Sequence, residues 1–153
     1  MANLDKAVPL YSNKLPQPKK AETKHMMIGY VTIGALDDEQ SGKFYDAVFG
    51  AIGCDRKFSD GGWTGYGEKG EDGHHVYVVS KTANGEPARA GNGIMISFKA
   101  KTSSEVDAAY KAGLSNGGKD EGAPGPRPAD SKTFYGAYLR DPTGNKICVF
   151  CKP

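Results

Sequence analysis

An α+β fold built from two βαβββ modules, with the sheets curling around a cavity, is the fold class this sequence predicts. Three observations carry it. Strand-like and helix-like segments come in the order strand, helix, three strands, and that order runs twice. Each helical segment opens on an acidic or capping signal. Clusters of Gly, Asp and Pro separate the strand-like pieces.

The first strand is "IGYVTIG" (Ile28–Gly34), rich in β-branched and aromatic residues and ended by Gly. "DDEQSGKFYDAVFGAIG" follows as a helix. Asp37, Asp38 and Glu39 put negative charge on its first turn, where free backbone N–H groups favour it. Phe44, Val48 and Ile52 recur every four residues, with Tyr45 and Phe49 beside them, so one face is apolar. Gly53 is placed to end it. Cys54–Phe58, Trp63–Gly67 and His75–Ser80 read as three short strands.

The second pass opens with "GIMISFKA" (Gly93–Ala100) as a strand. "TSSEVDAAYKAGLSNGG" begins with a capping box, Thr102 and Glu105, and places Val106, Ala109, Tyr110 and Gly113 on one helix face. Gly117 and Gly118 close it. "DEGAPGPRP" reads as a Gly/Pro-rich loop, with only a weak strand signal between Gly118 and Gly122. "TFYGAYLRD" and "NKICVFC" are two strands joined by the turn signal "DPTGN".

The chain has 153 residues, 38% hydrophobic and 25% charged, a globular composition of one-domain size. Residues 1–27 carry five lysines against Asp5 and Glu22, an excess of three positive charges. The net charge is +2, so the remainder is near −1, which argues against a nucleic-acid-binding body. No apolar run approaches the ~20 residues of a membrane span, and the first residues lack the apolar core of a secretory signal. Residues 1–26 therefore read as a flexible leader or a cloning remnant, with partner binding as a further reading, and residues 27–153 as the folded unit. Three cysteines argue against a disulfide framework and for a reducing, cytoplasmic setting.

Cys148 and Cys151 have C-x-x-C spacing, but on a strand they point to opposite faces. They cannot share a metal, and no helix N-terminus is predicted there to lower a thiol pKa. His74 and His75 also alternate, and read as exposed residues of a loop edge; a slip of one residue brings His75 near the cavity. Trp63, Tyr66, Tyr135 and Tyr138 lie on strands, either as core or as the lining of a pocket for a planar ligand.

"GEPARAGNGIMISFKAKTSSEVDAAYKAGLSNGGKDEGAPGPRP" followed by "FYGAYLRDPTGNKI" resembles the glyoxalase/bleomycin-resistance branch of the vicinal oxygen chelate superfamily, over about Met27 to Lys152. The resemblance implies paired βαβββ modules, one over about residues 27–82 and one over about 92–152, and a homodimer. It also implies a cleft that in many members holds a divalent metal on His and Glu, while bleomycin-binding members hold none. Its metal-ligand positions fall here at Tyr30, Tyr77, Met95 and Cys148. None is a His or a carboxylate. Two phenols, a thioether and a thiol suit neither hard ions nor the imidazole-carboxylate sites of Fe and Ni, although Met95 and Cys148 suit a soft ion such as Cu(I).

The expectation is thus a small-molecule binder without metal or other cofactor. Its expected ligand-binding residues are Tyr30, Trp63, Tyr66, Tyr77, Met95, Arg127, Tyr135 and Cys148. The pocket is expected to be mostly apolar. Arg127, fixed between Pro126 and Pro128, is either solvent-facing or an anchor for a carboxylate or phosphate at its mouth. The alternative is a lyase, isomerase or dioxygenase of the same superfamily, with or without metal. A protein-interaction module is a third reading, for which only the leader speaks. Neither a nucleic-acid nor a membrane partner is expected.

Overall fold

The computed structural model describes residues 27–153. The elements are β1 (Val31–Gly34), α1 (Asp38–Ala51), β2 (Cys54–Asp60), β3 (Trp63–Glu68), β4 (Val76–Val79), β5 (Ile96–Lys99), α2 (Ser103–Ser115), β6 (Lys119–Pro126), β7 (Tyr135–Arg140) and β8 (Lys146–Cys151). They form two four-stranded mixed sheets, ordered β1-β4-β3-β2 and β5-β8-β7-β6. In each, the first strand runs parallel to the last and the other pairs are antiparallel. Strand, helix, three strands therefore repeats as βαβββ. The expected leader, residues 1–26 with His25 among them, lies outside the described residues. Among the described residues no helix is long and apolar enough to cross a membrane.

Both helices begin where their sequence signals place them. The Asp37 carboxylate accepts from Gln40 N at 2.6 Å and caps α1. Thr102 Oγ1 accepts from Glu105 N at 3.2 Å. The return arm of that box reaches one residue further than expected, with Glu105 Oε2 accepting from Lys101 N at 2.6 Å. Phe44, Tyr45, Val48 and Phe49 of α1 and Val106, Ala109 and Gly113 of α2 are buried. They share one core with Ile33, Tyr66, Val78, Leu139, Ile147 and Val149 from the sheets. Each such large apolar side chain contributes about 1.5–3 kcal/mol on burial. Close packing has a cost in side-chain room: a Cβ on Gly113 would lie 2.6 Å from Leu139 Cδ1.

Three sequence expectations change. β1 and β5 start later than expected, because ladder pairing begins only at Val31 opposite Val76 and near Ile96 opposite Ile147. The segment read as a Gly/Pro loop is the strand β6. It tolerates Pro124 and Pro126 because it is the edge of its sheet, and its register slips twice against β7. The "DPTGN" turn is more than a hairpin. Asp141, only 2% exposed, accepts from the Tyr45 hydroxyl of α1 at 2.8 Å and from the N–H groups of Thr143 and Asn145 at 3.0 and 2.8 Å. Thr143 Oγ1 accepts from Leu36 N at 3.0 Å, and Asn145 Nδ2 donates to Gly34 O at 2.8 Å. The turn of the second module thus latches onto the end of β1 in the first.

Candidate cleft on the concave face

Helices cover one face of each sheet, and the candidate site lies on the other. Strand pairing sets its rows. Thr32 lies opposite Tyr77, Tyr77 opposite Gly65, and Gly65 opposite Phe58. In the second module Ser97 lies opposite Cys148, Cys148 opposite Tyr138, and Tyr138 opposite Gly122. Tyr77 and Cys148 therefore occupy equivalent places, as do Tyr30 and Met95, each two residues before the partner strand's Thr32 or Ser97.

The first module presents an aromatic shelf. The Tyr77 ring makes edge contacts with Tyr30 at 5.3 Å, Trp63 at 5.7 Å and His74 at 5.1 Å between centroids, and Phe58 lies at 6.2 Å. Such edge-to-face pairs each add about 0.5–1.5 kcal/mol beyond area burial. Gly65 makes the arrangement possible, since a Cβ there would fall within the Phe58 ring contact, 2.3 Å from Cε1. Tyr30 is 64%, Trp63 41% and Phe58 37% exposed, so the shelf is open.

The second module presents a thiol among cations. Cys148 is buried, with Ser97 and Tyr138 as strand neighbours. Burial pushes its thiol pKa up. The hydroxyls of Ser97 and Tyr138 and the charges of Arg127 and Lys146 pull the other way but do not prevail. Arg127 Cζ lies 5.9 Å and Lys146 Nζ 5.8 Å from the centre of the Tyr138 ring. Arg140 and Lys146 share the Glu121 carboxylate at 3.0 and 3.3 Å. Met95 lies beside them, in a cavity of about 330 Å³ with Arg140 and Lys146. The two modules also meet where Thr32 and Lys146 line a cavity of about 150 Å³.

Several sequence expectations are corrected. Tyr66 and Tyr135 face the helices. Tyr66 is buried against Tyr45 and Phe49 and donates to Asp46 at 3.0 Å, and Tyr135 donates to Asp107 of α2 at 2.8 Å. Burial, with the nearby Asp46 charge, holds the Tyr66 phenol far above its usual range. His74, not His75, joins the shelf, because alternation fails just before β4 begins; His75 instead lines a small cavity with Phe49, Tyr66 and Phe98. The expected mostly apolar pocket is apolar only on its first-module side. Cys151 lies in the core, with Ser103 Oγ 3.6 Å from its sulfur, so it and Cys148 do face opposite ways, and all three cysteines are free.

Sequence reasoning missed Phe58, Lys146 and Arg140. The last two carried a usable signal: they stand two residues from Cys148 and Tyr138 on the same strands. Phe58 carried none, because it reaches the shelf only across Gly65.

Comparison with known proteins agrees with this architecture. A family model described as "Glyoxalase/Bleomycin resistance protein/Dioxygenase superfamily" matches residues 27–149. The crystal structure of a glyoxalase/bleomycin resistance protein from Albidiferax ferrireducens is 37% identical, with a TM-score of 0.73, covering 84% of this chain and 100% of that one. A glyoxalase-related enzyme from Fulvimarina pelagi is 18% identical, with a TM-score of 0.63, over 84% of this chain and 90% of its own. A lactoylglutathione lyase from Agrobacterium tumefaciens is 21% identical, with a TM-score of 0.54, over 81% of this chain and 92% of its own. At those identities the last two show the fold alone. No curated protein matches the chain. With its paired βαβββ modules and a family match that spans nearly all the described residues, the chain belongs to the glyoxalase/bleomycin resistance protein/dioxygenase superfamily.

Proposed function

We propose that this chain binds a small organic ligand on the concave face and does so without a resident metal. The observation that carries this reading is the donor set at the four positions where the family resemblance puts metal ligands. Tyr30 and Tyr77 offer phenols, Met95 a thioether, and Cys148 a thiol that burial keeps protonated at neutral pH. A divalent ion wants deprotonated oxygen or neutral imidazole donors, and these side chains do not fit one. Among the described residues no group of three or more His, Cys, Asp and Glu side chains is placed to hold a metal ion. The open aromatic shelf supports the ligand-binding part, since rings with exposed faces suit a flat organic molecule. A nucleophilic role for Cys148 is disfavoured by its raised pKa.

The test is a thermal melt with added Ni²⁺, Zn²⁺, Mn²⁺ or Fe²⁺. No rise in Tm is expected, because only a ligand that favours the native state raises it. Saturable stabilisation by one of these ions, lost in Cys148→Ala or Met95→Ala, would replace this reading with a metalloenzyme using soft ligands. The same reading includes pairing with a second copy. Met27, Ile28, Leu36 and Ile94 leave apolar surface exposed around β1 and β5. Light scattering is expected to give a mass twice that of the 16.3 kDa chain, and a monomer at all concentrations would remove the dimer.

A further inference from the structure

We infer that the ligand of this cleft is a flat organic anion: its ring lies on the aromatic shelf of the first module, and its carboxylate is held at Arg127 and Lys146 in the second. The inference rests on the cleft reading above and adds the ligand's charge and orientation.

The charge follows from a local count. Arg127 and Lys146 stand over the Tyr138 ring, Arg140 shares the Glu121 carboxylate with Lys146, and Glu121 is the one acid that pairs with any of the three among the described residues. Three cations against one carboxylate leave a surplus of two positive charges on this side of the cleft. Arg127 is the most available of the three. Its Nη1 donates to Pro126 O at 2.9 Å and its Nη2 to Ala123 O at 2.9 Å. Those bonds fix the guanidinium plane but do not neutralise it. A guanidinium has five N–H donors, so donors remain for a ligand oxygen. A fixed planar fork of this kind matches a carboxylate better than a mobile ammonium does.

The orientation follows from asymmetry between the modules. The row that holds Cys148 and Tyr138 repeats the row that holds Tyr77 and Gly65, yet one side is aromatic and open and the other cationic. A ligand with a ring at one end and an anionic group at the other satisfies both. A cationic ligand would instead meet the surplus positive charge and be repelled by it. A nucleic acid would need a longer basic track than three side chains provide.

The experiment is isothermal titration of the full chain with naphthoate and with uncharged naphthylmethanol, which share a ring and differ in the anionic group. Naphthoate is expected to bind at least about tenfold more tightly, the scale of one good charge-assisted contact. Arg127→Gln is expected to remove about tenfold of naphthoate affinity and to leave naphthylmethanol unchanged. Arg127 is exposed, so its loss leaves the core intact, and Lys146→Met provides a second variant with the same expected pattern. Trp63→Ala is expected to weaken both probes, because the shelf serves both. Equal affinity for the two probes, or an Arg127→Gln chain that binds naphthoate as the parent does, would overturn the anion site while the cleft reading stands on the alcohol and Trp63→Ala. Failure of both probes to bind would overturn the cleft reading as well.

Discussion

Replacing Asp141 with Ala tests whether the second-module turn holds the two modules in register. The carboxylate accepts four hydrogen bonds: from the Tyr45 hydroxyl, from Thr143 N, and from both Asn145 N and Asn145 Nδ2, all at 2.8–3.0 Å. Tyr45 is fully buried, so its hydroxyl loses its acceptor in a place water does not reach. Stranding such a group costs about 1–3 kcal/mol. The three turn donors are half-buried and find water, at a net loss of about 0.5–1.5 kcal/mol each. The expected total is roughly 2.5–7.5 kcal/mol, a large part of the ~5–15 kcal/mol that typically holds a domain folded. Urea denaturation measures it, and Trp63, the only tryptophan in the chain, gives the fluorescence signal. Tyr45→Phe alone should cost about 1 kcal/mol. Added to Asp141→Ala it should regain stability, because the stranded hydroxyl is gone. A loss below about 1 kcal/mol for Asp141→Ala, or a double variant less stable than Asp141→Ala alone, would refute the latch.

Two further outcomes are expected. Ser41 Oγ, on the buried face of α1, has no hydrogen-bond partner among the described residues, so Ser41→Ala should raise stability by about 0.5–1.5 kcal/mol in the same urea assay; a loss would mean that the hydroxyl has a partner. Burial, first among the causes, raises the Cys54 and Cys148 thiols above 9.0 and the Tyr45 and Tyr66 phenols above 10.0. The unfolded chain therefore releases these protons first as pH rises, so stability is full below about pH 8.5 and falls above it, thiols before phenols. Urea midpoints between pH 7 and 11 would show the fall, and a flat profile would contradict the burial of these groups.

The sequence by itself determined what depends on near neighbours. The caps at Asp37 and Thr102, the apolar faces of both helices and the strand-helix-strand order are properties of short windows, and the structure has them. It also determined that Cys148 and Cys151 point opposite ways, because a strand alternates with period two. Period two does not say which face is which. Tyr66 and Trp63 are both aromatic residues of one strand, and only the packing of Phe49 and Tyr45 against the sheet made Tyr66 core and left Trp63 to the cleft. Only the tertiary structure made a strand of the Pro-containing β6, since an edge needs ladder bonds on one side alone. It alone gathered Arg127 and Lys146 around one ring, set Arg140 beside Lys146 on one carboxylate, and tied Asp141 to Tyr45 across 96 residues of chain. Contacts between distant segments are set by how sheets and helices pack, and no local window of sequence holds that information.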